Sequence, residues 1–235
     1  MTDQDPAISL EINDGIAVAT MRRPKQRNAM SAEFIACIQD IMARVRNDDS
    51  VRVFILTGSD GVFCAGGDIK GMLDRAKGKG MSADAVRKRL YYMNEWVQQL
   101  RTMEIPVIAA VDGPAFGAGF GLSLCADFVL ASDRASFCSV FCRIGAVPDC
   151  GVLFNLPRMI GMQRAKQLMY TGREVSAEEA RDLGIVMDIH PADKLQDAAM
   201  DLARQMKEAS PTAFAITKRV TNQAFDNDAN GILEM

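Results

Sequence analysis

PVIAAVDGPAFGAGFGLSLCADFVLAS, residues 106–132, is the stretch whose reading decides the fold of this chain. With Ile105 it opens as an unbroken apolar run to Val111, the length and composition of a strand buried on both faces. Asp112 and Gly113 end that run, and Gly117-Ala118-Gly119 leads into a helix of small residues. Asp127–Ser132 (DFVLAS) is a second strand. A strand, a helical crossover and another strand make the unit of a parallel sheet, so the fold class is α/β.

The same alternation extends outward. Residues 8–12 and 16–21 flank Asn13-Asp14-Gly15, a pair of strands around a turn that suits a hairpin. Ser31 precedes a helix whose apolar face is Phe34, Ile35, Ile38, Ile41, Met42 and Val45. VRVFILTG (51–58) is another buried strand, and Asp84 to Met103 another helix. Helices follow at 163–171 and 177–183, the latter opened by the capping box Ser176-x-x-Glu179. IVMDIH (185–190) reads as a strand, and 193–208 and 211–225 as the final helices. Residues 1–190 thus form an α/β core, and the helical stretch 191–235 is the candidate appendage.

Composition removes several functions. The chain has 235 residues, 49% of them hydrophobic, enough to bury a sizeable core. Its net charge of −3 gives no electrostatic footprint for nucleic acid. No apolar run reaches the roughly 18 residues of a membrane helix. MTDQDPAISL is too polar for a secretory signal, and a cytoplasmic location is expected. The cysteines (Cys37, Cys64, Cys125, Cys138, Cys142, Cys150) lack metal-binding spacing, and His190 is the single histidine. Buried free thiols and no metal are expected. With no G-x-S-x-G elbow and one histidine, a hydrolytic triad is not expected.

Two glycine-rich turns each follow a buried strand: Phe63-Cys64-Ala65-Gly66-Gly67-Asp68, and Gly113-Pro114-Ala115-Phe116-Gly117-Ala118-Gly119. Small residues let a ligand approach the main chain, and free N–H groups there suit an oxygen carrying negative charge. Three readings of the second turn stand: close helix–strand packing, a dinucleotide fingerprint, and an oxyanion hole shared with the first turn. The fingerprint fails because the third glycine of its pattern falls on Leu122. Spacing alone does not separate the other two.

Four stretches in order, RRPKQRNAM, LTGSDGVFCAGGDIKGM, PVIAAVDGPAFGAGFGLSLCADFVLAS and FCRIGAVPDCGVLFNLPRMIG, resemble the crotonase superfamily, the enoyl-CoA hydratase/isomerase group. The resemblance runs from about Ile8 to beyond Gly184. It implies a crotonase-like α/β fold of repeated ββα units with a helical C-terminal part. It also implies an acyl-CoA thioester substrate, coenzyme A as part of that substrate and no other cofactor, and a homotrimer or dimer of trimers. By motif position, the N–H groups of Ala65 and Ala118 are the expected oxyanion donors. Ala65, Gly66, Gly67, Asp68, Ile69, Gly117 and Phe141 are the expected substrate contacts.

The family's hydratases use two glutamates, and here those positions are Gly121 and Phe141. Asp149, in Ala146-Val147-Pro148-Asp149-Cys150-Gly151, resembles the single acid/base of the family's double-bond isomerases. One carboxylate suffices to move a proton between two carbons. The implied reaction is therefore 3-enoyl to 2-enoyl isomerisation, with hydration through another carboxylate such as Glu95, or a silent acyl-CoA-binding paralogue, as alternatives. Taken alone, Asp149 after a proline also suits the N-cap of a short helix. Asp68 reads as a loop-fixing residue. The basic stretch from Lys70 to Arg89, with Lys77-Gly78-Lys79-Gly80 at its centre, reads as a solvated segment. Lys25, Arg27 and that stretch are candidate contacts for the coenzyme A phosphates. Similar proteins continue past GILEM with another helix and a basic tail, so the C-terminus reads as short.

Overall fold

The structure, a computed structural model, describes residues 5–69, 71 and 82–233. β1 (Ile8–Asn13) and β2 (Ile16–Met21) pair antiparallel. Asp14 and Gly15 between them have φ of 50° and 75°, the left-handed pair that a tight two-residue hairpin turn requires. β2 then runs parallel to β3 (Val53–Gly58), and the sheet continues through β4 (Val107–Val111), β6 (Phe128–Ser132) and β9 (Asp188–His190). Every residue of β3 and β4 is buried, which is why both read as unbroken apolar runs.

The two faces of this sheet carry separate cores. Phe54 and Leu56 join Ala109 and Val111 in the larger core, which also takes in α1 (Ala32–Arg46). Ser31 caps α1 by accepting the Phe34 N–H at 3.2 Å. On the other face Val53, Ile55, Ile108 and Leu130 receive Leu195, Ala199 and Ala203 of a later helix (Leu195–Lys207). The expected division at 190/191 is crossed by that second core. Lys207 also pairs with Asp14 at 2.6 Å, tying this helix to the β1–β2 turn.

A second sheet joins β5 (Pro114–Phe116), β7 (Ser136–Cys138) and β8 (Glu174–Ser176). At three residues each, these strands are too short to show alternation, and β5 lies inside what reads as a glycine loop. The remaining helices, numbered in chain order, are α2 (Ala83–Arg101), α3 (Ala118–Leu124), α4 (Val152–Ile160), α5 (Met162–Thr171) and α6 (Ala177–Asp182). After them come α7, the helix Leu195–Lys207 already described, α8 (Pro211–Thr221) and α9 (Ala229–Leu233). Short 3-10 turns occupy Pro24–Gln26 and Val140–Ile144.

Several boundaries differ from the sequence expectation. The Ile185 and Val186 N–H groups turn back to the Ala180 carbonyl at 2.8 and 3.2 Å, so only Asp188–His190 pairs as a strand. The capping box is made by half: Ser176 accepts the Glu179 N–H at 3.3 Å, while the Glu179 side chain turns to Arg173. All six cysteines are free, but Cys37 is only half-buried and Cys142 is exposed. Among the described residues no helix is long and apolar enough to cross a membrane.

Candidate active site

The two glycine-rich turns lie side by side. Cys64 N–H donates to the Pro114 carbonyl at 3.0 Å, and Phe116 N–H donates to the Cys64 carbonyl at 2.9 Å. Gly66 permits the approach: its φ is 94°, and a Cβ there would lie 2.6 Å from the Phe116 carbonyl oxygen and 3.1 Å from the Ala118 nitrogen. A third segment closes on the first turn from its other edge, with Met30 N–H donating to the Gly66 carbonyl at 2.8 Å. Asn28, 1% exposed, anchors that segment. Its Oδ1 accepts the Arg23 N–H at 2.7 Å, and its Nδ2 donates to the carbonyls of Val62 and Phe63 at 2.7 and 3.0 Å.

This arrangement changes the expected donor set. The Ala65 N–H donates to the Arg27 carbonyl at 2.9 Å and is occupied. The Gly117 N–H is likewise taken, by the Cys138 carbonyl at 2.8 Å. Among the described residues, the Ala118 N–H and the Gly67 N–H meet no acceptor. Ala118 thus stands where expected as an open donor, while on the first turn the open N–H lies two residues past Ala65. The reason is the chain direction: the 23–30 segment takes Ala65 N–H on its side, and the backbone turns over at the left-handed Gly66.

Asp149 does not cap a helix. α4 begins at Val152, its N-cap is Gly151 with φ 82°, and no side chain caps it. The turn starts instead through the Asp149 carbonyl, which accepts the Val152 N–H at 3.0 Å. Cys150 and Gly151 are both left-handed, at φ 48° and 82°, a bend that sets the Asp149 side chain apart from the helix. Its Oδ1 is shut off from solvent. Burial, then the charge of Asp149, and among weaker causes a hydrogen bond to it, hold the Cys150 thiol well above the ordinary range. The bend lies on α3: a Cβ on Gly121 would fall 2.5 Å from the Cys150 carbonyl oxygen. Gly121 is three residues, just under one helical turn, past Ala118. Phe141 is buried, and its Cζ lies 3.9 Å from where a Cβ on Gly117 would sit. An apolar ring therefore stands beside the Ala118 end of the helix, and the bend that carries Asp149 packs a turn further along.

Other expected residues are more dispersed. Asp68 accepts the Gly71 N–H at 2.9 Å, holding the first turn as a loop-fixing residue does. Ile69 is 53% exposed. Lys25, Arg27 and Glu95 are exposed, and Arg87 and Lys88 pair with Asp84 on the surface of α2. Lys70, Arg75, Lys77, Lys79 and the Arg89 side chain lie outside the described residues. His190 sits on the edge strand β9, 3.6 Å from Asp188. Burial pushes the Cys64 and Cys125 thiols up to about 12, so neither is primed as a nucleophile near neutral pH. Asn28 carries no sequence signal of its anchoring contacts; Asn in a polar loop suggests only a residue tolerant of left-handed φ.

With the geometry in place, comparison with known proteins is decisive for the class. The model of the enoyl-CoA hydratase/isomerase family matches residues 11–234, and the chain belongs to that family, within the crotonase superfamily. It is an acyl-CoA-processing enzyme. The 1,2-epoxyphenylacetyl-CoA isomerase of Escherichia coli (strain K12) is 32% identical over 224 residues, covering 95% of this chain and 85% of that protein. The 4-chlorobenzoyl coenzyme A dehalogenase-2 of Arthrobacter sp. is 34% identical over 211 residues, covering 90% and 75%. An enoyl-CoA hydratase/isomerase from Cupriavidus metallidurans CH34 matches in structure with a TM-score of 0.91 at 39% identity, covering 100% of this chain and 86% of that one. The fold is the α/β crotonase fold.

Proposed function

We propose that this enzyme moves the double bond of a 3-enoyl-CoA to the 2-position, with Asp149 as both base and acid. The observation that carries the reading is Asp149 on the bend that packs against the helix whose first N–H is open, with Gly121 and Phe141 where the two acids for water addition would stand. The thioester oxygen lies between the Ala118 and Gly67 N–H groups. Asp149 removes a proton from C2, the C–H electron pair forms the C1–C2 double bond, and the carbonyl π pair moves onto that oxygen, giving a dienolate that keeps the C3–C4 double bond. The same carboxyl then returns the proton at C4, leaving the double bond between C2 and C3. Donors aimed at the oxygen stabilise the dienolate more than the thioester, and losing one such donor costs roughly 3–4 kcal/mol in other enzymes. The Phe141 ring excludes water from beside the intermediate. Coenzyme A enters as part of the substrate, and the chain's own groups suffice for the proton transfer.

Hydration through Glu95 is disfavoured by its exposed position on α2. The test offers the purified enzyme a 3-enoyl-CoA and a 2-enoyl-CoA. The first becomes conjugated, and Asp149→Asn lowers that kcat by about 10²–10⁴-fold. Water addition to the second at a comparable rate overturns the reading, and tight binding with neither reaction points to a silent paralogue.

We also propose a homotrimer or a dimer of trimers. Leu153, Met159, Met162 and Tyr170 leave 38–67% of their surface exposed along α4 and α5, apolar area that a second copy would cover. Light scattering after size exclusion gives the mass directly, and a monomer rejects this.

A further inference from the structure

The contact between Gly121 and the Asp149 bend has a second consequence. A Cβ on Gly121 would meet three atoms of one residue: the Cys150 carbonyl oxygen at 2.5 Å, its Cβ at 2.8 Å and its carbonyl carbon at 3.1 Å. Separations under about 3 Å are overlaps, not contacts, because backbone atoms cannot swing aside as a side-chain tip does. The bend has little freedom to retreat. Cys150 is 1% exposed, and its left-handed φ of 48° is tolerated by a non-glycine residue only where the surroundings enforce it. Cys125 Sγ–H donates to the same Cys150 carbonyl at 3.7 Å, and a Cβ on the next residue, Gly151, would lie 3.2 Å from Cys125 Sγ. Gly121 and, one turn further on, Cys125 thus both bear on the Cys150 carbonyl from the same face of α3.

We infer that Gly121 is a positioning residue: the missing side chain is the seat on which the 149–151 bend rests, and it sets where the Asp149 carboxylate stands relative to the Ala118 end of α3. This rests on the isomerase reading and goes beyond it. Any side chain at 121 competes for the volume that delivers Asp149.

The test is a double-mutant cycle of Gly121→Ala and Cys150→Gly. Cys150→Gly removes one of the three overlapping atoms and gives the bend a residue at ease at positive φ. Gly121→Ala alone lowers kcat for 3-enoyl-CoA conjugation by about a hundredfold, as displacing a general base does. KM stays within about threefold, because the main chain that holds the thioester is untouched. In the Cys150→Gly background the same change costs about tenfold or less. If Gly121→Ala does not fold, the double variant is compared with Cys150→Gly, and a lower kcat at unchanged KM supports the inference. An active wild type whose rate is unaffected by Gly121→Ala, or which loses kcat equally in both backgrounds, overturns the inference alone. So does a rise in KM that accounts for the loss. A wild type that conjugates no 3-enoyl-CoA overturns the isomerase reading, and this inference with it.

Discussion

At the scale of single residues, Asn28 shows how a glycine-rich turn depends on a buried side chain from another segment. Its side chain satisfies one N–H and two carbonyls of the chain around the first glycine turn, and its own carbonyl accepts the Cys64 thiol at 3.1 Å. Removing it leaves the Val62 and Phe63 carbonyls without their partner. Asn28→Ala is expected to lower stability by about 2–3 kcal/mol in urea unfolding, since each buried group left unpaired is penalised by more than its bond contributed. Asn28→Asp is expected to cost at least as much, because it turns an acceptor toward two carbonyl oxygens. A wild-type midpoint in both variants would show that the loop does not need this anchor. Asp149 resembles a family acid by its motif and suits an N-cap by residue type, and the cap reading falls because α4 starts at Val152 with Gly151 as its cap.

At the scale of elements, the ends of β4 and β6 are joined just before the second glycine turn. Arg134, after β6, grips Asp112, after β4, through Nε at 2.7 Å and one terminal nitrogen at 2.6 Å. The Asp112 side chain is 13% exposed and that of Arg134 58%. Burial raises the Asp112 pKa, but the hydrogen bonds and the charge of Arg134 outweigh it, leaving the carboxyl below its ordinary 3.8. A carboxyl depressed on folding stabilises the protein above its unfolded pKa, and that contribution is lost as pH falls through the lower folded value. Arg134→Met is therefore expected to cost about 1 kcal/mol at pH 7 and progressively less below about pH 4. Denaturant melts across that range check it, and a pH-independent difference contradicts it. The three-residue strands β5, β7 and β8 mark the limit of sequence reading at this scale. They are strands because they pair with one another, Ala115 with Phe137 and Phe137 with Val175, contacts between residues distant in sequence.

At the scale of the whole molecule, the helices after residue 190 are fastened to the sheet by buried charge as well as by the second core. Lys218 of α8 lies 2.6 Å from Asp127, at the entrance to β6, and 3.1 Å from the Ile105 carbonyl. The two side chains are 5% and 19% exposed. Burial opposes both charges, raising Asp127 and lowering Lys218, and their mutual attraction works against it. Breaking such a pair on one side strands the other charge. Lys218→Met is expected to destabilise the fold by about 3 kcal/mol, and Lys218→Met with Asp127→Asn by less. Thermal melts of the three proteins decide it; equal losses in the single and double variants would mean that the pair contributes only through packing.

The sequence by itself determined the alternation of strands and helices, because runs such as 53–58 and 107–111 are apolar without interruption only where a sheet is covered on both faces. Its ordered motifs also determined the family, and the absence of acids at 121 and 141 is visible in the letters alone. Tertiary structure decided which N–H groups remain open, since Ala65 meets Arg27 only when a loop distant in sequence folds against it. It also brought Gly121 against the Cys150 carbonyl, where a Cβ would lie 2.5 Å away. Spacing along a chain records which residues can repeat on one face of a helix or strand. It does not record which backbone atoms from remote segments will fill the same few ångströms.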